Sequence, residues 1–169
     1  MTLFGKRLSE YIAFCKPFLI LILVVGICRL ALSLSGLPNS TVKWVSISVV
    51  MWIGIVYYSI RIHTSGFGSY KHLLPICFLQ SLVSEAVIVP GIILAIITHT
   101  DNIFSAPEYS FGGDGKTWAH VFAHLFIGTT VGSLVGWVVG CLIMFITKKV
   151  VTQKQGHEGL AHDPNAARH

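Results

Sequence analysis

The sequence predicts an all-α integral membrane protein: a four-helix transmembrane bundle with an N-terminal interfacial amphipathic helix. Hydrophobic residues make up 53% of the chain and charged residues only 11%, whereas soluble domains carry about 25% charged residues. Four continuous apolar stretches are each long enough to cross a hydrocarbon core, which takes roughly 20 residues of α-helix. Lys and Arg gather in segments that can all lie on one side of a membrane.

The segment 1–16 predicts a short amphipathic helix lying in the membrane interface. Its apolar residues recur at spacings of three and four, with charged residues between them: Leu3, Phe4, Leu8, Tyr11, Ile12 and Cys15. A cleaved signal peptide is the competing interpretation. However, Arg29 interrupts the following apolar stretch, and the small-residue cleavage site expected there is poor. We therefore expect this segment to be retained.

The transmembrane domain is predicted over residues 17–149, with spans at about 17–37, 44–60, 73–98 and 118–147. Pro38 and Asn39 indicate a tight turn between the first two spans. The polar segment 150–169 is predicted to be a disordered cytoplasmic tail. Because the apolar stretches are continuous rather than alternating, and too few to close a barrel, β-strands are not expected.

The basic residues predict how the chain threads the membrane. Nine of them fall on the side that holds both termini: Lys6, Arg7, Lys16, Arg61, Lys71, Lys148, Lys149, Lys154 and Arg168. Only Lys43 and Lys116 fall on the other side, so the positive-inside rule places both termini in the cytoplasm. A multi-pass protein of the plasma membrane, of the kind found in the bacterial inner membrane, is the expected localisation. The formal charge of +5 forms no long basic run, which argues against nucleic acid as a partner.

Arg29 and Glu85 are ionisable residues inside predicted spans, where a charge is costly unless it is paired or hydrated. Each lies 12 residues after the start of its predicted span, which is roughly 18 Å at 1.5 Å per residue. Equal depth predicts a direct pair. The pair is interpreted either as a structural contact that fixes the register of two helices or as part of a proton, ion or substrate path. Pro90 is expected to loosen the helix near Glu85.

A ridge of small residues runs along the fourth span, with glycine at every fourth position: Gly128, Gly132, Gly136 and Gly140. Three overlapping G-x-x-x-G motifs allow another helix to approach closely. The sequence leaves open whether that helix belongs to the same chain, to a second copy or to another membrane protein.

His120 and His124 extend this ridge with the four-residue spacing that suits two ligands of one metal ion. His99 is expected at similar depth, so a metal site at His99, His120 and His124 is possible, as is a haem held between histidines of different helices. Neither cofactor is favoured, because histidines at helix ends are often only interfacial. The four cysteines show no C-x-x-C spacing and are interpreted as small buried hydrophobes.

Three functions remain open at this point. The first is a binding or structural role, in which the chain packs with itself or with membrane partners through the glycine ridge, with the lipid bilayer as its solvent. The second is transport or proton transfer at Arg29 and Glu85. The third is a metal- or haem-dependent membrane redox protein. An enzyme is not favoured, because no nucleophile and base stand in a recognisable arrangement.

Overall fold

The computed structural model describes residues 1–110 and 112–161, the side chains of 109 and 152–161 excepted. The described chain is mostly helical and contains four helices that are long and apolar enough to span a membrane. In chain order the elements are β1 Thr2–Leu3, β2 Lys6–Arg7, α1 Leu8–Leu34, α2 Asn39–Val42, α3 Ile47–Thr64, α4 Tyr70–Thr98, a 3₁₀ turn Pro107–Tyr109, α5 Trp118–Phe122, a π-helical segment Ala123–Gly128 and α6 Thr129–Ala161. This confirms the predicted four-helix architecture.

The N-terminal segment differs from the separate amphipathic helix that the sequence predicts. Thr2–Leu3 and Lys6–Arg7 form a small antiparallel hairpin, turned by Phe4 and Gly5 at positive φ. Helix α1 then runs without a break from Leu8 through Pro17. Its buried residues recur at spacings of three and four and so lie on one face of the helix, before and after that proline: Tyr11, Cys15, Leu19, Ile22 and Gly26. The amphipathic pattern of the first residues therefore continues into the first span instead of marking a helix of its own.

The other helices begin close to their predicted positions. A short helix, Asn39–Val42, occupies the turn expected after the first span, and Ser46 caps α3 by accepting a hydrogen bond from the Val49 N–H. Helix α6 continues to Ala161, so it includes the first part of the segment predicted to be disordered. The rest of that segment, 162–169, lies outside the described residues.

Helix α4 is the most buried element and packs against each of the other three long helices. Its register with α6 follows from Gly128, directly before α6, and from the three glycines that follow it within α6. A Cβ at Gly128 would lie nearest to Glu85, and one at Gly132 would lie nearest to Ser81. A Cβ at Gly136 would lie near Ile55 and Cys77, and one at Gly140 would lie near Ser59 and Leu73. Each step of four along α6 is thus matched by a step of four back along α4. The two helices cross through this regular small-residue seam.

The segment between α4 and α5 folds back onto the bundle. Residues 102–106 are buried. The Asn102 side chain donates to the Gly91 carbonyl at 2.7 Å and accepts from the Phe104 N–H at 2.9 Å, while the Ile103 N–H donates to Ser33 Oγ at 2.8 Å. This segment therefore covers one end of the bundle, which we call the loop end; α1 and α4 both begin at the opposite, terminal end.

We expect Asn102→Ala to release this cover. The substitution removes a donor and an acceptor that are both buried, and an unsatisfied buried group costs about 1–3 kcal/mol. Limited proteolysis in detergent should then cut between α4 and α5 at least several times faster than in the wild type. Thr100→Ala, at an exposed neighbouring position, is the matched control. Equal cleavage of Asn102→Ala and wild type would show that the cover is held by other contacts.

Candidate functional site at Glu85 and His124

Glu85 lies inside α4 and is 92% buried, with only 8% of its surface exposed. One carboxylate oxygen, Oε2, lies 2.9 Å from Nδ1 of His124. The imidazole belongs to the π-helical segment, and its side chain is about one-third exposed. A buried carboxylate is stable only when it is hydrogen-bonded or protonated, and the His124 ring supplies that hydrogen bond.

Gly128, directly before α6, makes room for this carboxylate. A Cβ at Gly128 would lie 2.7 Å from Glu85 Oε1 and 3.6 Å from His124 Nδ1, so both side chains pack against the backbone of this glycine. The preceding turn is π-helical, with the Thr129 N–H donating to the His124 carbonyl five residues back. Such wide turns are rare and are frequent at functional sites. Here the π-helical turn carries His124, whose imidazole lies next to Gly128 and the Glu85 carboxylate.

The glycine ridge is therefore used within the chain. Gly128 lies against the Glu85 carboxylate, a Cβ added at Gly136 would lie 2.9 Å from Ile55 of α3, and one added at Gly140 would lie 2.8 Å from Ser59. These approaches are too close for a larger side chain. Of the partners that the sequence leaves open for this ridge, the structure shows helices of the same chain.

Other polar side chains of α4 lie buried next to Glu85: Gln80, Ser81 and Ser84. The side-chain amide of Gln80 and the hydroxyl of Ser81 have no hydrogen-bond partner among the described residues. Gln80 is fully buried and packs on Gly54 of α3, where a Cβ would lie 2.9 Å from its Nε2. A polar strip thus runs from Glu85 toward the terminal end, through an otherwise apolar interior.

Arg29, the partner expected for Glu85, is staggered relative to it. In the packing of α1 against α4, Gly26 lies against Val87 and Leu30 lies near Gly91, so residues at equal depth differ by 61 in sequence number. Arg29 and Glu85 differ by only 56 and therefore lie at different depths. The difference of five residues amounts to about 7.5 Å along the helix. The Arg29 guanidinium lies over the Phe104 ring at 5.6 Å from its centroid. A direct pair of Arg29 with Glu85 stays a prediction, and His124 is the hydrogen-bonded partner that the structure shows.

The structure brings together two of the three candidate metal-binding histidines. The ring centroids of His120 and His124 are 4.9 Å apart. His120 Nδ1 donates a hydrogen bond to the Gly115 carbonyl oxygen at 2.8 Å. His99 lies exposed at the end of α4 in a left-handed conformation. Among the described residues, no group of three or more His, Cys, Asp or Glu side chains is placed to hold a metal ion. The metal and haem sites stay predictions without an assembled ligand set.

The acidic loop residues are engaged with a lysine. Lys116 Nζ lies 2.6 Å from Asp101 and 3.5 Å from Asp114. The hydrogen bond with Asp101 raises the pKa of Lys116, and the Lys116 backbone N–H lowers the pKa of Asp114 by stabilising its carboxylate. These charges therefore link Asp101 and Asp114 through Lys116.

A cavity of about 450 Å³ reaches Glu85 from the side of the bundle. It lies between α4 and the start of α6, and its walls include Glu85, Ala86, Pro90 and Thr129. Pro90 lacks the N–H that would bond to the Ala86 carbonyl, so that carbonyl receives no helical hydrogen bond from position 90. Glu85, Thr129 and Thr130 are the polar residues on the walls of this largely apolar opening.

Sequence reasoning finds Glu85 but not its contact with His124. The glycine ridge and the two histidines are both visible in the sequence, and aligning the ridge with Glu85 would have suggested His124. No sequence pattern predicts the π-helical turn that brings His124 within hydrogen-bonding distance of Glu85. Comparison with protein-family models, curated proteins and solved structures finds no significant match to this chain.

Proposed function

We propose that this chain is a multi-pass membrane protein that transfers protons, alone or coupled to a solute, through the Glu85–His124 pair. The observation that carries the proposal is the 2.9 Å contact between a buried carboxylate and an imidazole at the wall of an open cavity. Ionisable residues inside a membrane are costly and typically mark ion or proton paths. Histidine adds a group that exchanges protons near neutral pH in most environments.

The arrangement supports a stepwise path toward the loop end. When His124 Nδ1 bonds Glu85, its Nε2 is the second proton-exchanging atom of the ring. His120 follows one turn earlier, with its ring 4.9 Å away. Because the Gly115 carbonyl can only accept, His120 Nδ1 carries a hydrogen, which leaves Nε2 to take up a proton. Glu85, His124 and His120 therefore form a relay from the interior of the bundle to the acidic loop.

The proposal includes the orientation expected from the basic residues. The terminal end faces the cytoplasm, because the sequence assigns nine Lys and Arg to that side of the membrane, and the acidic loop faces the opposite side. We place the chain in the plasma membrane on the same grounds. The relay of Glu85, His124 and His120 then opens toward the outside.

Proton flux into liposomes tests the proposal. Purified protein is reconstituted with a pH-sensitive dye inside, and a potassium gradient with valinomycin drives proton uptake. We expect Glu85→Gln and His124→Gln each to lower the protein-dependent rate by about tenfold or more, as when a proton-transfer group is removed. Glu108→Gln, which neutralises an exposed loop carboxylate, is the matched control and should leave the rate unchanged.

Infrared spectroscopy gives a second readout that does not require transport. The Glu85 carboxyl should show a C=O band that changes with pH in the wild type and in Glu108→Gln but disappears in Glu85→Gln. Wild-type proton flux in both Glu85→Gln and His124→Gln, in protein of normal size and helicity, would contradict proton transfer. It would favour the structural role instead.

A further inference from the structure

The cavity at Glu85 continues into a second one along the same face of the bundle. That second cavity has a volume of about 440 Å³ and shares Phe78, Leu82 and Thr130 with the first. We call the two together the lateral groove. It runs between α4 and α6, from the N-terminal hairpin at Leu3 to the carboxylate of Glu85.

The lateral groove opens toward whatever surrounds the helices. Phe78, Leu82 and Leu125 on its walls are 43–48% exposed, and in a bilayer such side chains face lipid. Each cavity has a size typical of small-molecule sites, which are about 300–1,000 Å³. A ligand that partitions into the membrane can thus enter from the side without passing through water.

The chemistry of the groove selects one kind of ligand charge. The polar residues at its Glu85 end are Glu85, whose carboxylate is an acceptor, and Thr129 and Thr130, whose hydroxyls can accept as well as donate. Among the described residues that line the two cavities, none is Lys, Arg or His, and Met1, which carries the terminal ammonium group, lines only the cavity at the hairpin end and not the one at Glu85. The ring of Phe78, common to both cavities, can also bind a cation on its face. An apolar body with a positive charge complements this lining, whereas an anion does not.

The charged and titratable neighbours of Glu85 leave room for that cation. His124 approaches from the side of Gly128, with His120 behind it, and Arg29 of α1 lies over Phe104 about five residues farther along. The carboxylate therefore has His124 on one side and the lateral groove on the other.

We propose that the lateral groove binds a hydrophobic cation, a protonated amine or quaternary onium with an apolar body, in exchange for the proton of the Glu85–His124 pair. This inference rests on the proposed proton transfer and names its coupled solute. In the proposed exchange the empty pair holds one proton, either on the carboxyl group or on the imidazole, and is then net neutral. Binding of one cation leaves the carboxylate with neutral imidazole, and one proton passes from the pair to water.

Binding of tetraphenylphosphonium to the detergent-solubilised full chain tests the inference. We expect saturable binding with release of about one proton per cation in weakly buffered solution, since one carboxylate changes state. Tetraphenylborate has nearly the same size and shape but the opposite charge, so it should show no Glu85-dependent binding. Glu85→Gln should abolish binding and proton release, while Glu108→Gln should retain both.

Ala86→Phe separates the groove from the acid. Ala86 is exposed on the groove wall, so the larger ring fills the opening while Glu85 and His124 remain. We expect it to weaken tetraphenylphosphonium binding about tenfold or more, by steric exclusion, and to preserve the pH-dependent infrared band of Glu85.

The outcomes separate this inference from the proposed function. Equal binding of tetraphenylphosphonium to wild type and Glu85→Gln, or equal Glu85-dependent binding of tetraphenylborate, would overturn the cation site. If proton flux still depends on Glu85 in that case, proton transfer stands and only its coupled solute is wrong. Unchanged proton flux in both Glu85→Gln and His124→Gln would overturn the proposed function itself.

Discussion

Gly128→Val should abolish proton transfer although it changes no ionisable residue. The new Cβ would lie 2.7 Å from Glu85 Oε1, closer than Cβ atoms approach other atoms in real structures, so the carboxylate must shift from its place beside His124. Since a displacement of about 1 Å can cost on the order of 100-fold in a positioned reaction, we expect proton flux close to that of Glu85→Gln. Overpacking should also destabilise the bundle by about 1–3 kcal/mol.

Gly132→Ala is the matched control for this experiment. It lies one step along the same ridge, where the added Cβ would meet Ser81 Oγ at an ordinary 3.5 Å. We expect nearly normal flux and stability from it. Normal proton flux in Gly128→Val, with the protein folded, would show that the close contact between Glu85 and His124 is not needed. A loss of flux in both variants would instead indicate that the whole seam between α4 and α6 must stay closely packed.

The helices of this chain are predictable because long, continuous apolar stretches are typical of helices that can span a membrane. Each of the four apolar stretches forms a long helical span in the structure, the fourth with a π-helical segment within it. The errors occur where a local rule is overridden by packing. Pro17 does not end a helix, because the buried face of Tyr11 and Cys15 continues in phase beyond it. Residues 2–7 form a hairpin, because Phe4 and Gly5 adopt positive φ angles that a helix excludes.

The candidate site is only half predictable. Glu85 stands out from sequence alone because a carboxylate within a hydrophobic span is costly. Its partner depends on the relative shift of packed helices, which the sequence does not reveal. Counting from predicted helix starts pairs Glu85 with Arg29, whereas the observed packing shifts α1 against α4 by five residues. The shift of α1 concerns only Arg29; His124 reaches Glu85 from the π-helical turn Ala123–Gly128.

Gln80→Met should stabilise the protein, which is the opposite of what most buried substitutions do. Gln80 is 0% exposed, and neither atom of its side-chain amide has a hydrogen-bond partner in the part of the chain that the structure describes. An unsatisfied buried polar group costs about 1–3 kcal/mol, and methionine fills nearly the same volume without that cost. We expect a gain of similar size in the free energy of unfolding, measured by denaturant titration in mixed micelles. Leu79→Met, at the neighbouring buried position, should give no gain.

Whether Gln80→Met raises or lowers the free energy of unfolding indicates the role of the polar strip that runs from Glu85 toward the terminal end. A lower stability for Gln80→Met would contradict the prediction, because it would mean that the amide is hydrogen-bonded in the folded protein, for example by internal water. A higher stability with slower proton flux would show that an unfavourable amide is kept for the path toward the terminal end. In that case Glu85 connects to both ends of the bundle, through His124 and His120 on one side and through Ser81 and Gln80 on the other.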